Sequence, residues 1–179
     1  MQPIQQPITG NEDLGNLHQP TQALAQFYAA INHRDLDEMG ANWLPSPEIA
    51  MDNPLGGIRR GWEEIGAVYA RLFASRAQFH FEFRDYTIHQ AGDLFYAVGR
   101  ERGELAIREQ RMILAIRTSR IYRRVDDIWR QVHHHGSIDD PDMLRNYQNA
   151  VLRNAWPSFG PGDAHSDPRT AAPSMETLR

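Results

Sequence analysis

The chain has 179 residues, of which 41% are hydrophobic and 23% charged, a composition typical of one globular domain. Its formal net charge of −4 argues against a nucleic-acid-binding protein, which would carry a strongly basic surface. Cysteine and lysine are absent, so disulfides, thiolate nucleophiles and Schiff-base chemistry are excluded. No stretch has the apolar character of a signal peptide or a membrane span, so we expect a cytoplasmic protein without membrane contact.

Hydrophobic periodicity predicts three helices in the first half of the chain. Residues 1–18 are polar and nearly aperiodic, which predicts a flexible arm. The first helix begins near Thr21, a short second helix is capped by Asp35, and the third begins near Trp62. Between the second and third helices, residues 49–61 predict a short strand followed by a glycine-rich turn.

Beyond Arg76 the period of the apolar residues changes to two, which predicts β-strands. The turns between them are too short for crossover helices, so the strands form an antiparallel meander. A helix is predicted over 140–156, and the proline- and glycine-rich residues 157–179 are predicted to be disordered. The predicted strands are 79–88, 94–102, 111–124 and 129–137.

This order of elements predicts an α+β domain over residues 19–156, with a twisted sheet curled around three N-terminal helices. Such an arrangement leaves a conical cavity, which is the default position for a binding site. The other face of the sheet needs cover, so we expect a homodimer or a larger assembly.

Three stretches resemble the nuclear transport factor 2-like superfamily, also called SnoaL-like, which includes ketosteroid isomerase. They are FYAAINHRDLDEM, MDNPLGGIRRGWEEIGAVYARLF and SRIYRRVDDIWRQVHHHGS, which resemble the family's first helices, its strand-loop-helix and its last hairpin. Together they span roughly residues 20–138 in the family's order. The resemblance implies a cone-shaped cystatin-like fold, usually dimeric, with the three helices packed on a curved antiparallel sheet.

The catalytic residues of the isomerase are not reproduced at the corresponding positions. Its tyrosine corresponds to Phe27, its general-base aspartate to Asn53 and the acid of its oxyanion hole to Arg120. Proton transfer at a carbon acid needs a base and donors aimed at the developing oxyanion, and neither Phe27 nor Asn53 supplies them. A shift of one residue would supply Tyr28 and Asp52, with both side chains turned the other way.

One alternative prediction is therefore an enzyme similar to ketosteroid isomerase or the polyketide cyclases. It would be a cofactor-independent lyase or isomerase with Asp52 as the base and Tyr28 or His133 as the polarising donor. Asp52 precedes Asn53-Pro54 and equally suits a turn-forming role through side-chain to backbone hydrogen bonds.

The last hairpin and the strand AVGRER are also similar to the association domain of calcium/calmodulin-dependent protein kinase II and its bacterial relatives. Two arginines of that domain face the cavity, and they correspond here to Arg100 and Arg120. The resemblance implies a cationic cavity and self-association. The arginines would clamp a carboxylate, or they would form salt bridges to Glu101, Glu104 or Asp52, or lie exposed.

Strand alternation places Trp129, Gln131, His133 and His135 on one face of the last strand. The two histidines would then lie about 6.5 to 7 Å apart, within reach of a shared metal or ligand. A metal would need a third ligand, and no spacing in the sequence identifies one. We therefore predict no metal and no cofactor.

The main prediction is a protein that binds a small polar or anionic organic molecule in its cavity. Its ligand would contact Arg100, Arg120 and His135, beside Tyr122 and Trp129. A pure oligomerisation module is the remaining alternative.

Overall fold

The computed structural model describes residues 2–13, 19–107 and 110–151. Helices form where periodicity predicts them, and a fourth helix follows the sheet. They are α1 (Gln19–His33), α2 (Leu36–Asn42), α3 (Gly61–Ala74) and α4 (Pro141–Ala150). The strands are β1 (Ala50–Asp52), β2 (Arg59–Arg60), β3 (Gln78–Ala91), β4 (Leu94–Ile107), β5 (Gln110–Val125) and β6 (Ile128–Ser137).

One six-stranded sheet has the order β2-β1-β6-β5-β4-β3. Strands β3 to β6 form the predicted antiparallel meander. The sheet is not antiparallel throughout, because β1 pairs in parallel with β6, with Asp52 beside His135. A parallel neighbour needs a long connection, and α3 with the whole meander lies between β1 and β6.

The sheet has an inner face that packs against the helices and an outer face that does not. On β4 the inner face carries Phe95, Ala97 and Glu101, which are buried, and the outer face carries Val98 and Arg100, which are exposed. This period of two follows from the alternation of side chains along a strand. The inner face therefore borders the interior of the domain, where a charged residue needs a partner.

A β-bulge in β6 reverses the predicted faces of its second half. Gln131 pairs with Tyr122, but Ile121 pairs with His133, so Val132 is an extra residue with no partner on β5. An extra residue shifts the alternation by one position. Gln131 and His134 therefore point inward, whereas the sequence prediction that His133 and His135 share the face of Gln131 is wrong.

The N-terminal segment pairs with the edge of the sheet, contrary to the prediction of a free arm. Within residues 2–13, Ile4 and Ile8 form backbone hydrogen bonds with Tyr86 and Phe83 of β3. Ile8 is 3% exposed, and a Cβ at Gly10 would lie 2.3 Å from the backbone nitrogen of Ala29. The segment covers an edge that would otherwise offer unpaired backbone groups.

Side-chain caps set the beginnings of two helices. Asp35 accepts a hydrogen bond from the backbone nitrogen of Glu38 at the start of α2, as its sequence predicts. Asp140 accepts from the first turn of α4, directly before Pro141. The end of the predicted helix after Val151 and the predicted disordered tail lie outside the described residues.

Candidate ligand-binding cavity

A cavity of about 80 Å³ lies between the inner face of the sheet and helices α1 and α3, with α4 on a further side. Most of its wall is apolar, formed by residues such as Phe27, Val68 and Ile116. Its polar lining consists of Asn53, Tyr69, Glu101, Arg120, His134 and Tyr147. Apolar walls with a few convergent polar groups are characteristic of small-molecule sites.

Arg120 lines the cavity and is completely buried. Its Nη2 donates to Oε1 of Glu101 at 2.5 Å, and its Nη1 donates to Oε1 of Gln131 at 2.7 Å. The guanidinium carbon lies 3.5 Å from the ring centroid of Phe27. A buried cation needs a counter-ion, and the aromatic face adds cation–π attraction. Glu101 is one of the three salt-bridge partners that the sequence analysis considered for the two arginines.

Among the described residues, hydrogen-bond donors contact only one of the two oxygens of Glu101. Oε1 accepts from Arg120 and, at 2.8 Å, from the hydroxyl of Tyr28. No described residue donates a hydrogen bond to Oε2, although the side chain lines the cavity. Burial and then the charge of Glu101 raise the pKa of Tyr28 well above its ordinary value, so Tyr28 stays a phenol and donates.

His134 is the second unusual group of the cavity. It is 7% exposed, lies opposite Arg120 across β5 and β6, and lines the cavity. Burial, reinforced by the positive charge of Arg120, lowers the pKa of His134 well below its ordinary value, so the imidazole is neutral. Neither ring nitrogen has a hydrogen-bond partner among the described residues. A neutral imidazole therefore offers the cavity one donor and one acceptor.

The hydroxyl of Tyr69 and Nε of Arg120 also have no hydrogen-bond partner among the described residues. Burial raises the pKa of Tyr69, so it too is a neutral donor and acceptor. Together His134, Tyr69 and Oε2 of Glu101 form a set of groups that can still donate or accept hydrogen bonds.

Arg100 was predicted to face the ligand, but it lies on the outer face. Its side chain is 44% exposed and lies 3.8 Å from Oδ2 of Asp85 and 4.0 Å from Oδ2 of Asp139. The alternation of β4 turns Glu101 inward, so its neighbour Arg100 must turn outward. Only Arg120 of the two predicted arginines lines the cavity.

Asp52, His133 and His135 form a cluster on the outer face rather than in the cavity. Nδ1 of His135 lies 2.5 Å from Oδ2 of Asp52, and Nε2 of His133 lies 3.5 Å from Oδ1. Their side chains are 31% to 46% exposed. None of the three lines the cavity, so the predicted base, the predicted donor His133 and the predicted ligand contact His135 share a different location from Arg120.

Tyr28, Tyr122 and Trp129 are buried but do not line the cavity. The Tyr28 hydroxyl is directed at Glu101, and the Tyr122 hydroxyl donates to Asn42 at 3.2 Å. Tyr122 and Trp129 pack on Phe95 with ring centroids 4.6 Å and 4.9 Å apart. Tyr122 and Trp129 are therefore packed in the core, and Tyr28 holds the carboxylate of Glu101 in place.

Glu101, His134 and Tyr69 are three cavity residues that the sequence analysis did not predict as ligand contacts. Glu101 had a signal, because Phe95 and Ala97 predict an inward face that position 101 continues. His134 had none, because a bulge of one residue leaves no trace in the periodicity of a short strand.

The described ranges contain neither a metal-binding cluster nor a membrane-spanning helix. No group of three His, Asp or Glu side chains there is arranged to hold a metal ion. None of the helices in those ranges is long and apolar enough to cross a bilayer.

A family model described as a SnoaL-like domain matches residues 21–141. The chain belongs to the SnoaL-like family. Its fold is the cystatin-like cone of the nuclear transport factor 2-like proteins, as predicted. None of the curated proteins compared with this SnoaL-like chain matches it significantly.

Solved structures resemble this SnoaL-like protein over about two thirds of its length. A proposed dehydratase of the NTF2-like family from Streptomyces avermitilis has a TM-score of 0.62 at 19% identity, covering 67% of this chain and 93% of its own. A proposed calcium/calmodulin-dependent protein kinase type II association domain from Thiobacillus denitrificans has a TM-score of 0.57 at 29% identity, covering 68% and 96%. A cystatin-like protein from Caulobacter vibrioides covers 75% and 96%, with a TM-score of 0.57 at 18% identity. The first and third likenesses show the fold alone.

Proposed function

We propose that this SnoaL-like protein binds a small polar organic molecule in its cavity. The single observation that carries the proposal is His134, which is buried at the cavity with two ring nitrogens that lack partners among the described residues. Leaving a buried donor or acceptor without a partner costs about 1–3 kcal/mol. A bound molecule that satisfies the imidazole recovers this free energy, and that recovery becomes binding affinity.

The size of the cavity limits the ligand. An apolar cavity of about 150 Å³ admits benzene. At about 80 Å³ the present cavity suits a smaller molecule, with a short apolar part against Phe27 and Val68 and one polar end. Propionamide has these features and serves as a probe.

Binding fits the cavity better than the lyase or isomerase with Asp52 as its base. That mechanism requires Asp52 beside the substrate, and Asp52 contacts His135 on the outer face. Its predicted donors do not converge on the cavity either, since Tyr28 donates to Glu101 and His133 lies near Asp52.

The test compares two histidines one position apart. His134→Leu removes an imidazole from the cavity, and His135→Leu removes an imidazole from the outer face of the same strand. We expect His134→Leu to weaken propionamide binding at least about tenfold in calorimetry, the cost of losing one or two buried hydrogen bonds. His135→Leu should bind as the parent does. Equal weakening by both variants, or weakening by His135→Leu alone, would contradict the proposal.

Self-association is a second proposed function, and the outer face supports it. Leu94, Tyr96 and Val98 of β4 form the outer apolar patch, with 41% to 46% of each residue exposed. Contiguous exposed apolar residues are typical of protein interfaces. The resemblance to association domains also favours a second copy as the partner.

Sedimentation velocity tests this second function. The parent should sediment as a dimer or larger species, and Val98→Asp should shift it toward the monomer because it places a charge in the interface. Ile58→Asp is the control, since Ile58 is 50% exposed but lies outside the sheet. A monomeric parent, or equal effects of the two variants, would refute self-association through the outer apolar patch.

A further inference from the structure

From the charges and free hydrogen-bonding atoms of the cavity we infer that its ligand is an uncharged molecule with a hydrogen-bond donor, and that Glu101 sets this selectivity. The inference rests on the proposed binding function and narrows its ligand class. It departs from the sequence prediction, which allowed an anion held by arginine.

The charge of Arg120 is already neutralised. Glu101 and Arg120 are the charged residues among the described lining of the cavity, and their side chains are in direct contact. Both are at most 8% exposed, so water does not screen them as it would at the surface. Nε of Arg120 has no hydrogen-bond partner among the described residues, but a carboxylate ligand at this atom would bring a second negative charge into the environment of Glu101.

The atom that Glu101 presents to a ligand is an acceptor. Its Oε1 is occupied by Arg120 and Tyr28, and no described residue donates to Oε2. An ionised carboxylate has no hydrogen to donate. The complementary group on a ligand is therefore an N–H or O–H, and an anion would meet repulsion at this point.

The neutral partners of the cavity complete the pattern. His134 carries one donor and one acceptor, and Tyr69 adds a hydroxyl. A primary amide or a hydroxylated carbonyl compound presents a donor and an acceptor side by side, which matches Glu101 together with His134. Ligands of this class fit without adding net charge.

Propionamide and propionate test the inference because they have the same shape and differ in charge. In calorimetry the parent protein should bind propionamide at least about tenfold more tightly than propionate, since a like charge in a buried site is strongly unfavourable. Glu101→Gln should reverse this order, because it leaves Arg120 without its counter-ion and the cavity then attracts an anion. Glu104→Gln is the control, since Glu104 is exposed on the same strand.

The outcomes distinguish a failure of the selectivity inference from a failure of the proposed binding function. If the parent binds propionate as tightly as propionamide, or more tightly, the selectivity inference is overturned while ligand binding stands. If Glu101→Gln keeps the parent's preference, Glu101 does not set it. If neither probe binds the parent, the proposed function falls and the inference with it. The comparison on the parent needs no variant, so the test holds even where Glu101→Gln fails to fold.

Discussion

Replacing Tyr28 by Phe tests the hydrogen-bond network that fixes Glu101. Tyr28 is completely buried, and its hydroxyl donates to Oε1 of Glu101 at 2.8 Å. A hydrogen bond to a charged group contributes about 1.5–3 kcal/mol to stability. Because Oε1 keeps Arg120 as a donor and the ring keeps its stacking on Phe83, we place the loss in the lower half, at about 1.5–2 kcal/mol.

Urea unfolding of the parent and the Tyr28→Phe variant measures this loss as a lower midpoint with an unchanged slope. In thermal unfolding of a chain of this size, the same loss should lower the melting temperature by about 3–8 °C. The control is Tyr96→Phe, which removes a hydroxyl from a residue that is 41% exposed and should change the free energy of unfolding by less than about 0.5 kcal/mol. A loss below about 0.5 kcal/mol for Tyr28→Phe would refute the charge-assisted bond to Glu101.

Three further predictions concern the cavity and the N-terminal segment. Arg120→Ala should cost about 3–5 kcal/mol in urea unfolding, because it strands a buried carboxylate, and should weaken propionamide binding in calorimetry. Arg100→Ala on the outer face should leave both nearly unchanged. His134 is neutral in the native state but is protonated in the unfolded state below its ordinary pKa of 6.5. The free energy of unfolding of the parent should therefore fall by about 1.4 kcal/mol per pH unit below that value. In urea unfolding, His134→Leu should lose this part of the pH dependence. Ile8→Ala should cost about 2–4 kcal/mol at a site 3% exposed, whereas Ile4→Ala, 41% exposed, should cost less than about 1 kcal/mol; equal losses in thermal unfolding would show that the segment does not pack on β3.

Local periodicity was sufficient to predict the order of helices and strands. The change of period after Arg76 and the cap at Asp35 are local features that a chain carries in its own sequence. The inward position of Arg120 was also predictable, because it lies two residues from the buried Tyr122 on the same strand.

The site could not be assembled from local features because two nonlocal events decide it. The parallel pairing of β1 with β6 places Asp52 beside His135 on the outer face, although α3 and the whole meander separate them in the chain. The bulge at Val132 then turns His134 to the inner face and turns His133 and His135 to the outer face. Arg100 is a different case, since the alternation on β4 already favoured Glu101 as the inward residue, and the family resemblance outweighed it.

The most direct test of the binding account is a crystal structure of the parent protein soaked with propionamide. We predict density for the probe in the cavity, with its amide nitrogen within hydrogen-bond distance of Oε2 of Glu101 and its carbonyl oxygen beside His134. A cavity that holds only water at a probe concentration that saturates the calorimetric signal, or a probe bound elsewhere on the domain, would contradict the account.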